Sequence, residues 1–354
     1  MSKSTLVTVN PDEAKALIKM QMSADPKNRI AIGLIGHMGE GKSQVVQQAA
    51  AENGWNYVDL RGSQMEATDF LGIPFRDEAK NTTSYAKPMW WPADGTKTVL
   101  VLEEVNRAAL DVQQAVMQIL NEGKVGVHSL PTDTVVCVCI NPPNDVYQVS
   151  ELDPAMHNRA GWYDFKSDPN VWLKYAFNTK VHDDVIRFVG LKPDMLSVPL
   201  VGEPCPTPRT WVMVSHALKS MSGPLLDKTI NALIGTKTAV TFKMMTAKGF
   251  KIPVRGIEVF DNYPAVKERV KNQDMPENNY TIGEVVASVE SIKMPKEKLV
   301  NLIAYFHDCP AEWQGKLISD LPQRILARMC GQDPTLAPVV QKTRAGIEAM
   351  LADE

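Results

Sequence analysis

The run Gly36-His37-Met38-Gly39-Glu40-Gly41-Lys42-Ser43 has the spacing of a loop built to hold phosphate. Glycines let successive backbone N–H groups turn toward one point and make a nest for an anion. A helix opening near Gly41 adds its positive end to that point. Lys42 brings a mobile charge for the outer phosphates, and the Ser43 hydroxyl is a hard oxygen donor for Mg²⁺. The whole run Gly36, His37, Met38, Gly39, Glu40, Gly41, Lys42, Ser43 and Gln44 is therefore the candidate nucleotide-binding segment, with His37 read as a solvated loop residue. A glycine-rich turn alone would not explain Lys42-Ser43 at the mouth of a helix.

Two acids and three further polar residues could act on a bound triphosphate. Glu103 and Glu104 end the apolar run Thr98–Leu102. Strand side chains alternate, so one carboxylate can face a metal beside Ser43 while the other faces an attacking water. Glu103 is assigned to Mg²⁺ and Glu104 to the general base. Asn141 ends a second apolar run, Thr134–Ile140, where its amide can orient the water or touch the γ-phosphate. Arg159 and Arg209 are guanidinium groups able to neutralise charge on a transferring phosphoryl group, from the same chain or a neighbour. Phosphate loop, strand-end acids and strand-end amide together favour hydrolysis over passive binding.

The elements that must position these residues follow from the pattern. Ile30–Ile35 reads as the strand before the loop, and the helix after it runs to about Asn53. Val9–Met22 reads as a helix capped by Asn10, with Pro11 in its first turn. Tyr57–Leu60 is a second strand. Arg61–Trp91 is irregular or a hairpin insertion, its Trp90-Trp91 pair packed on the domain. Thr98–Leu102 and Thr134–Ile140 lack alternation, as parallel strands covered on both faces do. Ala108–Glu122 is the helix between them, and Lys124–Asp133 a short hairpin. This describes a doubly wound α/β domain whose ligand sits at the carboxyl ends of its strands. Beyond about Ser167 strand signals fade. Val171–Val189, Thr207–Met221 and Leu225–Lys248 read as helices, with a proline-rich connection over 198–208. Past Lys251, Pro276–Asn279 reads as a loop, and Ile282–Ile292, Pro295–His307, Pro310–Cys330 and Ala337–Leu351 as helices.

At 354 residues the chain has room for more than one domain. A net charge of −3 argues against bulk attraction to nucleic acid or acidic membranes. No apolar run reaches the ~18 residues of a membrane span, and the first residues lack a signal-peptide core. The five cysteines form no Cys-x-x-Cys pair and read as reduced thiols of a cytoplasmic protein. Lys267–Lys271 and Lys296–Lys298 interleave bases with acids, which suits solvated helix faces better than a nucleic-acid stripe.

Gly36–Ser43, Leu102–Ala108, Asn141-Pro142, Leu152–Arg159, Pro206–Trp211 and Val58–Pro74, in this order and spacing, resemble the MoxR-type branch of the AAA+ ATPases over roughly residues 29–245. The resemblance implies a P-loop AAA+ sheet domain over 1–167, an α-helical lid over 168–250 and a mostly helical extension over 251–354. It implies ATP and Mg²⁺ as cofactors and a homo-oligomeric, hexameric ring with ATP at subunit interfaces. By the resemblance Gly36–Ser43 is Walker A and Leu100–Glu104 Walker B. Asn141 is sensor 1, Arg159 the arginine finger for the neighbour's ATP, and Arg209 sensor 2. Arg107 lies in an Asn-Arg-Ala element at the subunit boundary. Gly72–Pro92 holds the helix-2 insertion, and Lys124–Leu130 the hairpin before sensor 1. A partner with a von Willebrand factor A domain and a protein client are implied too. Glu103 stands where the family's Walker B begins with Asp, and Ala160 where an aromatic residue follows the finger. The expected function is an ATPase coupling turnover to remodelling or activating a protein partner. The alternatives are the motor of a metal chelatase, a nucleic-acid motor and a nucleotide-gated scaffold.

Overall fold

The computed structural model describes residues 6–79, 81–143, 153–198, 204–247, 253–273, 275–291 and 294–352. Leu152, residues 199–203, Lys248 and Ile292, which enter the sequence reading, lie outside them. The chain divides into two units. The first comprises Met1–Asp168 and Thr207–Arg209, and the second Pro169–Val198, Pro204–Pro206 and Thr210–Glu354, each over its described residues.

The first unit is built on a parallel six-stranded sheet. In chain order it runs β1 (Thr8–Val9), α1 (Pro11–Ser23), β2 (Ile32–Ile35), α2 (Lys42–Glu52), β3 (Asn56–Arg61) and α3 (Ala67–Leu71). Next come β4 (Pro74–Asp77), β5 (Thr82–Tyr85), β6 (Thr98–Glu103) and α4 (Leu110–Glu122). Then follow β7 (Lys124–Val125), β8 (His128–Ser129), β9 (Thr134–Ile140), α5 (Pro154–His157) and β10 (Gly161–Phe165). The strand order is β1-β10-β2-β9-β6-β3, and the pairs β4-β5 and β7-β8 are separate antiparallel hairpins. Each face of the sheet has its own core. Val99 and Val101 pack with Val45, Val46 and Ile18 on one side, while Leu100 and Leu102 pack with Val112, Val116 and Phe70 on the other. Burial on both faces is why β6 reads as an unbroken apolar run.

Helix α1 starts where a capping box forms. The Asn10 side chain accepts from the Asp12 and Glu13 amides at 2.9 and 3.0 Å, and Glu13 Oε2 accepts from the Asn10 amide at 2.7 Å. Trp90 and Trp91 pack as expected. The Trp90 ring lies 5.8 Å from Phe70 and 5.1 Å from Trp91, and its indole N–H donates to Asp69 O at 2.7 Å.

The described residues of the second unit form helices α6 (Pro169–Asn178), α7 (Asp183–Leu191), α8 (Pro208–Ser220, from Thr210 onward), α9 (Gly223–Ile234), α10 (Thr236–Ala247), α11 (Gly256–Lys271) and α12 (Met275–Ser291). They continue with α13 (Lys296–Asp308), α14 (Ala311–Asp320), α15 (Gln323–Gln332) and α16 (Leu336–Ala352). One core gathers Trp172, Phe188, Trp211 and Phe242, and another gathers Phe260, Tyr263, Tyr305 and Phe306.

Four sequence expectations change here. Val171–Val189 is two helices, α6 and α7. Leu225–Lys248 is also two, parted at Gly235, whose φ is +74° and beside which a Cβ would sit 2.3 Å from Pro204 O. Pro310–Cys330 divides at Leu321-Pro322, because a proline with an extended residue before it cannot carry a helix through. Pro276–Asn279 is not a loop but the start of α12. Pro276 falls in that helix's first turn, where its missing N–H is no loss, and Asn278 is fully buried, donating to Gln273 O at 3.0 Å.

Candidate phosphate-binding site

The candidate residues other than Arg159 converge at the carboxyl ends of β2, β6 and β9. Strand β2 ends at Ile35, and Gly36 turns the chain while its amide donates to Ile140 O at 3.2 Å. A Cβ at Gly36 would lie 2.5 Å from Phe165 O, so only glycine fits this close approach. Gly39 and Gly41 take φ of +77° and +103°, and Gly41 is the N-cap of α2 with no side-chain cap. The positive end of α2 therefore points into the loop without a capping side chain over it.

Lys42 opens α2 and folds back over the loop. Its Nζ donates to Gly36 O at 2.6 Å, His37 O at 2.8 Å and Asn141 Oδ1 at 3.2 Å. Three acceptors use all three ammonium protons. Burial pulls the Lys42 pKa below its ordinary value, against the opposing pull of Cys139, Glu40 and Glu103. Burial, with Lys42 next in weight, likewise lowers His37. Ser43 is half-buried and Gln44 exposed on the first turn of the same helix.

Glu103 ends β6 on the α2 face of the sheet, in register with Arg61 of β3 and Cys139 of β9. Its side chain is 13% exposed, and its Oε2 lies 3.9 Å from Arg61 Nε. Asp59, two residues back on β3, has its pKa raised by burial and then by Glu103. Strand alternation does not place Glu104. Glu104 has left the strand for a left-handed turn, φ +53° and ψ 32°, which opens the 3-10 turn Val105–Arg107. Ser63 Oγ donates to Glu104 Oε2 at 2.6 Å, and Arg107 Nη1 lies 3.7 Å from the same oxygen. Asn141 follows β9 directly. Its carbonyl accepts from Asn106 Nδ2 at 3.0 Å, while its side chain receives Lys42.

Both arginines differ in place from the lysine. Pro208 and Arg209 open α8, and Arg209 groups with the first unit, not the second as read from sequence. Its amide donates to Gly39 O at 3.1 Å, and its charge adds to the lowering of the Lys42 pKa. Arg159 is not with the others. It follows α5, donates through Nη1 to Ala155 O, and precedes β10, whose Gly161 pairs with Ile32 at the start of β2. That is the amino edge of the sheet, the edge opposite the loop.

Sequence reasoning gave no role to Ser63, Arg61, Asp59 or Asn106. Register could have found Arg61, since pairing β3 with β6 sets it beside Glu103. Ser63 and Asn106 depend on turns that periodicity does not show.

Residues 31–160 match the family model of an AAA domain of the dynein-related subfamily. This segment is similar to AAA-type ATPase domains. The loop, the strand-end acids and the strands β2, β3, β6 and β9 fall within the matched stretch, and the fold class is the P-loop α/β one with helices following. No curated protein matches the sequence. Among solved structures, a mutant RuvB of Thermotoga maritima aligns at 12% identity and TM-score 0.40, over 81% of this chain and 84% of that one. The RuvB Holliday junction branch migration motor of Thermotoga maritima aligns at 12% and 0.38, over 80% and 82%. A putative ATPase of Cytophaga hutchinsonii aligns at 12% and 0.34, over 95% and 90%. At those scores the functional reading rests on the chain's own residues.

The donor set suits a magnesium triphosphate. Ser43 and Glu103 offer hard oxygens. The three protons of Lys42 now rest on loop carbonyls and Asn141, groups that phosphate oxygens can replace. Among the described residues no cluster of three or more His, Cys, Asp or Glu could hold another metal. Cys137 and Cys139 are buried, and burial pushes the Cys137 thiol up to about 12.

Proposed function

We propose that the chain is a Mg²⁺-dependent ATPase of MoxR type. It acts as a homo-oligomeric, hexameric ring and couples turnover at subunit interfaces to remodelling or activating a protein partner. The observation that carries the reading is Lys42 Nζ held between the loop carbonyls and Asn141, one strand from Glu103 and Glu104. In this reading residues 36–44 cradle the phosphates by backbone N–H groups, and Lys42 exchanges its present acceptors for phosphate oxygens. Ser43 and Glu103 would hold Mg²⁺, which when bound supplies positive charge to the phosphate oxygens. Glu104 accepts the proton of the attacking water, Asn141 orients that water, and Arg209 neutralises phosphate charge.

Arg159, at the amino edge of its own sheet, fits a role toward a neighbour's phosphate. Residues 168–250 would be a lid and 251–354 an extension. A von Willebrand factor A domain protein is the partner class we assign. Nucleic acid is disfavoured by the helix charges, which pair locally. Lys267 reaches Asp308 at 2.9 Å, Lys298 reaches Asp261 at 2.7 Å, and Arg269 reaches Glu258 at 2.8 Å. No helix among the described residues is long and apolar enough to cross a membrane.

Mixing two inactive variants tests the reading. An Arg159→Ala chain keeps the loop and Glu104, while a Glu104→Gln chain keeps Arg159. Mixed with ATP, they should regain turnover where the second sets its arginine against the first. A strict monomer with ATP, or a mixture as inactive as its parts, would refute the shared site.

A further inference from the structure

Where β9 ends, three successive carbonyls are each taken by a different part of the site. Cys139 O accepts from the Glu104 amide at 3.0 Å, and Ile140 O from the Gly36 amide at 3.2 Å. Asn141 O accepts from the Asn106 side chain at 3.0 Å. The first two are backbone bonds. The third cannot be, because Glu104 has turned away into the left-handed region and β6 offers no further amide in register. Pro142 and Pro143 follow, so the two residues after Asn141 have no N–H with which to anchor it. Asn106 therefore supplies from a side chain the bond that strand pairing no longer provides.

The amide is not there to fill space well. Asn106 is 2% exposed, and its Oδ1 has no partner among the described residues. A buried acceptor left unpaired is a burden on stability, and an apolar residue of similar size removes it. An amide at such a position is best explained by what its N–H does. That N–H fixes the backbone of Asn141, whose side chain meets Lys42, and it ties Asn141 to the turn that begins at Glu104.

We propose that Asn106 is a positioning residue, holding the end of β9 so that the Asn141 amide and the Glu104 carboxylate address one phosphate together. The proposal rests on the ATPase reading above and deepens it. Asn106 touches no substrate and acts through Asn141.

The test uses the full chain and steady-state ATP turnover with Mg²⁺. In Asn106→Leu, kcat should fall on the order of 10- to 100-fold while KM for ATP moves within about twofold, since only placement in the transition state is disturbed. Its melting temperature should stay within a few degrees of the parent's, since the unpaired Oδ1 is removed while Asn141 O loses its donor. Asn106→Asp, the same shape without the N–H donor, should lose kcat likewise and covers the case in which Leu is not accommodated. In an Asn141→Ala background neither change should add a further loss. An Asn106→Leu chain with undiminished kcat would overturn the proposal while leaving the ATPase reading intact. So would losses that multiply in the double variant, or a kcat loss that merely follows a lowered melting temperature. An Asn141→Ala chain of unchanged kcat would instead strike Asn141 from the reaction, and Asn106 with it. A parent chain without turnover would fail the ATPase reading first.

Discussion

Replacing Glu104 by glutamine should stop the chemistry and hardly touch the fold. Glu104 Oε2 is held by Ser63 at 2.6 Å and faces Arg107 at 3.7 Å. A glutamine oxygen still accepts from Ser63, though a neutral acceptor is worth less than a charged one by about 1 kcal/mol. The ion pair is a third exposed on both sides, 37% and 34%. Solvent screening therefore leaves it only a few tenths of a kcal/mol, at roughly 0–1 for such pairs. The left-handed backbone is no harder for Gln than for Glu, neither being β-branched. The summed loss is about 1 kcal/mol, or a melting shift of roughly 2–4 °C in a domain of this size. An amide cannot take the proton of water, and loss of a general base costs about 10²- to 10⁴-fold, equal to roughly 3–5 kcal/mol of barrier. Phosphate release at saturating ATP and Mg²⁺, ATP affinity and the melting curve should be read on one preparation. The expected outcome is turnover down at least about a hundredfold, with ATP bound as before and the melt nearly unmoved. Turnover within a few-fold of the parent, with ATP still bound, would refute Glu104 as the base.

Two other outcomes follow from the geometry. Gly36→Ala should lose ATP binding and melt lower by the cost of a local clash, about 1–3 kcal/mol, because its Cβ would meet Phe165 O at 2.5 Å; unchanged ATP binding by titration would contradict the close approach. Asp333 has its pKa drawn down to about 2 by the Thr335 hydroxyl first and then by His307. Its folded pKa lies below the ordinary ~3.9, so its contribution is present above that value and lost as pH falls toward 2. Melting followed from pH 5 to pH 2 should show Asp333→Asn converging on the parent at the acid end, and a constant gap would contradict the assignment.

How much of this was legible in the sequence differs by element. The loop was, because glycine, lysine and serine at fixed spacing leave a local signature that needs no tertiary context. Strands β6 and β9 were, because double-sided burial writes an unbroken apolar run. Strands β1 and β10 were not, being two and five residues long at one side of the sheet. Helix α11 was hidden by Pro264 in its interior and the non-helical Asn262 just before it. Helix α12 was masked by Pro276 and two asparagines, residues that usually mark loops but are absorbed here by a first turn and a buried amide. Within the site, Glu103 and Asn141 fell at strand ends as expected. The partners Ser63, Arg61 and Asn106 did not show, since each depends on strand register or on the left-handed turn at Glu104, and neither is written in hydrophobic period.

The most direct measurement is calorimetric titration of ATP with Mg²⁺ into the parent chain and into Lys42→Ala. The expected result is binding and turnover in the parent and the loss of both when the ammonium bridging Gly36, His37 and Asn141 is removed. A Lys42→Ala chain that binds and hydrolyses ATP as the parent does would contradict it.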